Sequence, residues 1–175
     1  MSLNGRVSPG SLESSVELPV SAQEACPCGW VQVSWDELAQ LCRRLSEHLQ
    51  REERPDAVVA LARAGYVPGA ILASLLRCDL LTLQVPPERD RGGFGVERSA
   101  VASLGHRLDG RRVIILDEAT RTGESLAWAA RIAAGAGAAV VRTAVLFHFP
   151  GSPRPDYVAV ASGDHILQPW IRHCL

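Results

Sequence analysis

Apolar positions along this chain follow two rhythms, short unbroken runs and helical spacings, and the two alternate. Trp30-Val31-Gln32-Val33 alternates in polarity and predicts a short strand. Ser34-Trp35-Asp36-Glu37 then has the spacing of a capping box, with Ser34 as N-cap and Glu37 at the third helical position. The helix it opens runs to about Arg51, with Leu38, Leu41, Cys42, Leu45 and Leu49 on one face. Pro55-Asp56 breaks that pattern. Residues 57–61 are continuously apolar, as expected of a strand covered on both faces. A small-residue turn at 62–65 leads to a helix from about Pro68 to Leu76, and residues 80–85 form the next strand. Residues 86–98 read as a charged, Gly-rich loop. A strand at 113–116, a polar turn, a helix over about 123–134 and strands at 140–147 and 157–160 complete the series.

Strands alternating with helices predict an α/β fold, a mainly parallel sheet with helices on both faces. Ligands in such sheets bind beyond the carboxyl ends of the strands. The turns after Leu61, Val85 and Leu116 are therefore the places to look for chemistry.

Composition adds limits. A chain of 175 residues suits one domain with a sizeable core, here expected over residues 30–175. Residues 1–29 are rich in Ser, Gly, Pro and Glu and are expected to form a mobile extension. No apolar run reaches the roughly 20 residues of a membrane span. The first residues lack a basic region followed by an apolar stretch, so no signal peptide is expected. A net charge of −1 gives no field that favours nucleic acid or anionic lipid. All 18 basic residues are arginine, which excludes a Walker A loop and a lysine Schiff base. Five cysteines, an odd count, point to reduced thiols and a cytoplasmic setting. Cys26-Pro-Cys28 has no second pair at zinc spacing, with Cys174 far away, and Cys42 and Cys78 are expected in the core.

The densest chemistry follows the 113–116 strand, in Asp117-Glu118-Ala119-Thr120-Arg121-Thr122-Gly123-Glu124-Ser125. Two adjacent acids end a buried strand, and a hydroxyl- and glycine-containing turn opens a helix. Unpaired N–H groups at a helix N-terminus form an anion site. Thr122 and Ser125 can add hydroxyl donors, and Gly123 permits close backbone approach. The acids could accept hydrogen bonds from sugar hydroxyls while the turn holds a phosphate. Spacing alone equally allows them to cap the helix.

Residues 113–126 resemble the phosphoribosyl diphosphate motif of type I phosphoribosyltransferases: an apolar strand, two acids, Thr-Gly and a final Ser or Thr. Residues 33–76, including Ser34-Trp35-Asp36 and Leu61-Ala62-Arg63-Ala64-Gly65, are similar to the bacterial xanthine–guanine and archaeal hypoxanthine enzymes. Asp156-Tyr157-Val158 and Gln168-Pro169-Trp170 resemble the hood of the same enzymes. The resemblance implies the type I fold with a small hood. It also implies transfer of ribose 5-phosphate from phosphoribosyl diphosphate to a nucleobase-like acceptor, as in purine salvage. Mg²⁺ would be the cofactor, and a homodimer or homotetramer the assembly.

By this resemblance Asp117, Glu118 and Arg63 are the catalytic residues, with the two acids holding the ribose hydroxyls and serving as metal ligands. Ala119, Thr120, Arg121, Thr122, Gly123, Glu124 and Ser125 would cradle the 5-phosphate. Arg63, Ala64 and Gly65 would form the pyrophosphate loop, where one peptide is often cis. The 86–98 loop would close over the site and bring Arg89, Arg91 and Arg98 towards pyrophosphate. His165, Ile166 and Phe149 would flank the base.

Three departures lie on the base side. Arg121 stands where the purine enzymes have an Asp that assists proton transfer, and a cation cannot act as a base. Phe149 stands nearest the position of a Lys that recognises a 6-oxo group; His148 beside it could substitute as a donor, but a core or surface histidine is the stronger expectation. His165 replaces a larger stacking aromatic. These changes leave a second expectation open, a non-catalytic module that binds a nucleotide or phosphoribosyl diphosphate for regulation.

Overall fold

Ser34 opens the first long helix as its side chain spacing predicts. The Ser34 amide donates to Glu37 Oε2 at 2.7 Å, and the Glu37 amide donates to Ser34 Oγ at 3.2 Å. Two backbone donors are satisfied within one turn, which anchors the helix start locally. The computed structural model describes residues 30–87, 91 and 93–170. The expected extension at 1–29 with Cys26 and Cys28, together with Arg89 and Cys174, lies outside the described residues.

The elements run β1 (Val31–Gln32), α1 (Trp35–Glu52), β2 (Ala57–Ala62), α2 (Tyr66–Leu76), β3 (Asp79–Gln84), α3 (Phe94–Leu104), β4 (Arg112–Thr120), α4 (Glu124–Gly135), β5 (Val140–His148), β6 (Tyr157–Ala161) and β7 (Ile166–Leu167). Five of the strands form one parallel sheet in the order β3-β2-β4-β5-β6. β1 and β7 pair in parallel as a separate small sheet, the hood.

Alternation along the central strands divides the core in two. Val113 and Ile115 of β4 join Leu104 of α3 and Leu126, Trp128 and Ile132 of α4. Ile114 and Leu116 join Leu38, Leu41, Leu45 and Leu49 of α1 and Leu72 of α2. Each face of the sheet is thus covered by a helix pair, which is why the strands are apolar throughout. Cys42 is fully buried on the α1 side, as expected, and burial pushes its thiol up to about 12. Cys78 is half-buried, packed against the same cluster.

The chain leaves β2 towards β3, then returns to place β4 on the other side of β2. The connections before and after this reversal lie on opposite faces, so a crevice opens between the carboxyl ends of β2 and β4.

Two sequence expectations are corrected. The 86–98 stretch is not a loop throughout, because α3 begins at Phe94. Its stability is tertiary: Val96, Ala100 and Val101 pack on the α4 side of the core, and Leu104 is buried there. The strand at 113–116 also continues to Thr120, since pairing with β5 extends to Thr120 opposite His148. Asp117, Glu118, Ala119 and Thr120 are therefore strand residues, and the turn is confined to 121–123.

Candidate functional site

Two hollows meet at the reversal point. The larger, about 290 Å³, is lined by Asp117, Glu118, Arg121, Phe149, His165 and Trp30, with Ala64, Ala119 and Ile166 completing its wall. The smaller, about 170 Å³, is lined by Asp117, Ala119, Thr120, Arg121, Thr122, Gly123, Ser125 and Leu126. Asp117, Ala119 and Arg121 border both.

The smaller hollow is built by the start of α4. Gly123 has φ +76°, a left-handed conformation that glycine adopts without strain. No side chain caps the helix through Gly123, and the Glu124 amide makes only a long 3.4 Å contact to Thr122 Oγ1. The acids do not cap this helix. Thr122, Gly123, Ser125 and Leu126 at this helix start line the hollow, the setting of an anion site. Glu124 turns elsewhere and meets Arg91 at 3.4 Å. Thr120 is buried, with its carbonyl accepting from Ser152 Oγ at 3.3 Å.

Asp117 and Glu118 sit between the hollows. Burial pushes Asp117 up to about 6, opposed by the Glu118 amide that donates to its Oδ1 at 2.8 Å. Burial pushes Glu118 up to about 7; the Gln168 amide group, donating to Glu118 Oε1 at 2.5 Å, opposes this, and neighbouring Asp117 adds to it. Gln168 is fully buried under the hood, and its Oε1 has no hydrogen-bond partner among the described residues.

The turn after β2 supplies the facing wall. The Ala62–Arg63 peptide is cis. Ala64 lines the larger hollow, whereas Arg63 stands exposed at the turn and lines neither. Gly65 is buried beneath it: a Cβ there would lie 2.7 Å from the Leu61 carbonyl oxygen and 2.8 Å from that of Leu116. Only glycine lets this turn approach β4 at Leu116 so closely. Arg91 bonds the Pro86 carbonyl at 3.0 Å, and Arg98 lies exposed on α3.

On the acceptor side the three departures touch one another. Arg121 Nη2 donates to His165 Nδ1 at 3.1 Å, and the guanidinium lies 4.7 Å from the centre of the Phe149 ring. His165 stacks on Trp30 with centroids 5.4 Å apart and planes inclined by 24°. His148 is buried, with its Nε2 3.1 Å from the Ser152 carbonyl, in the structural role expected of it. Sequence reasoning missed Trp30 and the Glu118–Gln168 contact. Both come from the hood, which forms only when the two ends of the domain pair.

A doubly wound sheet with paired acids and an open helix start at its reversal point places this chain among α/β folds that bind ligands at the carboxyl ends of their strands. A family model described as the phosphoribosyl transferase domain matches residues 34–174. The chain belongs to the phosphoribosyltransferase family. An adenine phosphoribosyltransferase of Mycobacterium avium is 32% identical over 100 residues, covering 53% of this chain and 56% of the relative. The chain thus spans about half the length of the curated relatives it matches. The purine phosphoribosyltransferase structure from Pyrococcus horikoshii has a TM-score of 0.67 at 24% identity, covering 83% of this chain and 96% of that one. The Helicobacter pylori xanthine–guanine–hypoxanthine phosphoribosyltransferase has a TM-score of 0.61 at 14% identity, covering 79% and 91%. A Neisseria gonorrhoeae protein with bound ppGpp also has a TM-score of 0.61, at 16% identity, covering 81% and 87%.

Proposed function

We propose that this protein transfers ribose 5-phosphate from phosphoribosyl diphosphate to a nucleobase-like acceptor, in the manner of purine salvage. One observation carries this reading: the uncapped first turn of α4 faces the same hollow that Asp117 borders. That juxtaposition suits a phosphate at the amides and sugar hydroxyls at the carboxylates.

In the reaction an acceptor nitrogen forms a bond to C1 of the ribose. The C1–oxygen bond to pyrophosphate breaks, and pyrophosphate leaves with the electron pair. The acceptor's N–H proton passes to solvent, since Arg121 cannot take it. Asp117 and Glu118 accept hydrogen bonds from the ribose hydroxyls and favour the positive charge that develops on the sugar. Thr122, Gly123 and Ser125 hold the 5-phosphate. The Ala64 wall positions the leaving group, with Arg63 available to swing inward from its exposed place. Rate enhancement then comes mainly from positioning and fixed charge.

The donor set fits Mg²⁺ carried in by the diphosphate. Asp117 and Glu118 offer hard oxygen ligands, and no third acid, His or Cys joins them as a metal cluster among the described residues. Mg²⁺ commonly binds through one or two carboxylates plus substrate phosphates. When bound, it would neutralise charge on the departing pyrophosphate. A homodimer or homotetramer in the cytoplasm belongs to the same proposal; the exposed Trp35, Tyr66 and Leu80 side chains provide apolar surface for self-association. No helix among the described residues is long and apolar enough to cross a membrane.

A second reading, a nucleotide-binding regulator without turnover, is favoured by the Arg121 guanidinium standing beside Phe149 and His165, where a base would lie. Calorimetric titration with phosphoribosyl diphosphate and Mg²⁺, followed by pyrophosphate release assays over a panel of nucleobases, separates the two. Transfer predicts release with at least one base. Binding without release on any of them would favour the regulator. Asp117→Asn with Glu118→Gln is expected to abolish detectable phosphoribosyl diphosphate binding. Unchanged affinity in that double variant would contradict the site assignment.

A further inference from the structure

We propose that the acceptor side of the larger hollow takes a planar heteroaromatic molecule bearing a carboxylate, held by Arg121 together with His165. This deepens the phosphoribosyl-transfer reading and rests on it.

Arg121 lines both hollows, and it lacks the carboxylate partner that five other arginines of the fold have. Arg91, Arg111, Arg112, Arg131 and Arg142 each pair with a carboxylate. Arg121 makes no ion pair among the described residues; its contacts are a neutral acceptor nitrogen and a phenyl face. A guanidinium has five N–H donors, and His165 engages only one of its nitrogens. The remaining fork matches a carboxylate in two-point geometry.

His165 adds to this. Its Nδ1 faces an arginine donor, so Nδ1 is the acceptor and the proton resides on Nε2. The ring then carries a second N–H donor. The Trp30 stack holds its plane, and the Phe149 contact holds the guanidinium. Aromatic and aliphatic surface from Trp30, Phe149 and Ile166 suits a flat ring.

The wall of the same hollow also carries the acids Asp117 and Glu118. An anionic substituent is repelled there and attracted at Arg121. The charge distribution therefore orients the acceptor, substituent towards Arg121 and reacting nitrogen towards the sugar.

Two matched pairs of probes test this: purine-6-carboxylate against purine-6-carboxamide, and nicotinate against nicotinamide. Each is titrated calorimetrically into the full chain, with and without phosphoribosyl diphosphate and Mg²⁺. In at least one pair the acid is expected to bind about tenfold more tightly or better, as a charge-assisted hydrogen bond warrants. R121Q is expected to remove that preference. Equal affinity for acid and amide in both pairs, no binding of any probe, or a preference that survives in R121Q would each overturn the proposal. The two readings fail separately. Absence of phosphoribosyl diphosphate binding contradicts the transfer reading. Its binding together with a preference for the amides contradicts the acceptor assignment alone.

Discussion

Asp117 and Glu118 are carboxylates held largely out of water before any substrate arrives. Their ordinary values are 3.8 and 4.5, and burial raises them to about 6 and about 7. The folded chain therefore binds these protons more tightly than the unfolded chain does. Stability from the neutral forms is fully present below the ordinary values and is lost as pH rises through about 6 and about 7. The denaturant midpoint of the ligand-free protein is expected to fall between about pH 4 and about pH 7. Asp117→Asn with Glu118→Gln should flatten that fall, since neither replacement titrates. Parallel curves for wild type and variant would show that the pair is not the source. The sugar's hydroxyls need the ionised forms as acceptors, so binding is expected to strengthen over the window in which the bare fold weakens.

The elements matter through their ends. β4 runs on to Thr120 past its last pairing with β2 at Ala60 and Leu116, and the turn from β2 into α2 must pass between two carbonyl oxygens at Gly65. Helix–sheet contact is similarly close at Gly69, where a Cβ would lie 2.5 Å from that of Ala60. Backbone oxygens cannot rotate away as a flexible side chain can. Gly65→Ala is expected to cost about 1–3 kcal/mol through overpacking. It should also weaken phosphoribosyl diphosphate binding by moving Ala64. Chemical denaturation and calorimetry check the two effects together, and unchanged values in both would refute the role given to this close approach.

At the scale of the whole molecule, stability and chemistry occupy opposite ends of the sheet. Glu53, just past the end of α1, is buried where β4 and β5 begin. Its Oε1 accepts from Arg142 Nε and from the Tyr157 hydroxyl, both at 3.0 Å, and its Oε2 accepts from Arg112 Nη2 at 2.7 Å. Side chains from three strands thus converge on one carboxylate. Glu53→Gln removes the charge and turns one acceptor into a donor facing donors. A loss of about 1–3 kcal/mol is expected, or about 2–4 °C of Tm for each kcal/mol in a chain of this size. Affinity for phosphoribosyl diphosphate should hold, because β4 separates Arg112 from Asp117. A melt that leaves Tm unmoved would show the cluster to be incidental.

Local chemistry made much of this protein legible in its sequence. Ser34 and Glu37 cap α1 within one turn, and residues 57–61 and 113–116 are apolar because helices cover both faces. The Asp117-Glu118 pair could be placed near a strand end for the same reason, but the run of β4 on to Thr120, which rests on pairing with β5, could not. What neighbours do not define was not legible. α3 is stable only where Val96, Ala100 and Leu104 meet the sheet and α4. β7 is two residues long and exists because Ile166 and Leu167 pair with Val31 and Gln32 from the other end of the domain. That pairing brings Trp30, His165 and Gln168 over the site. The contact of Arg121 with both Phe149 and His165 likewise joins three separate loops. Local hydrogen bonding and burial determined the elements and the phosphate side; long-range pairing alone decided the acceptor side, because its residues become neighbours only when the sheet and hood have closed.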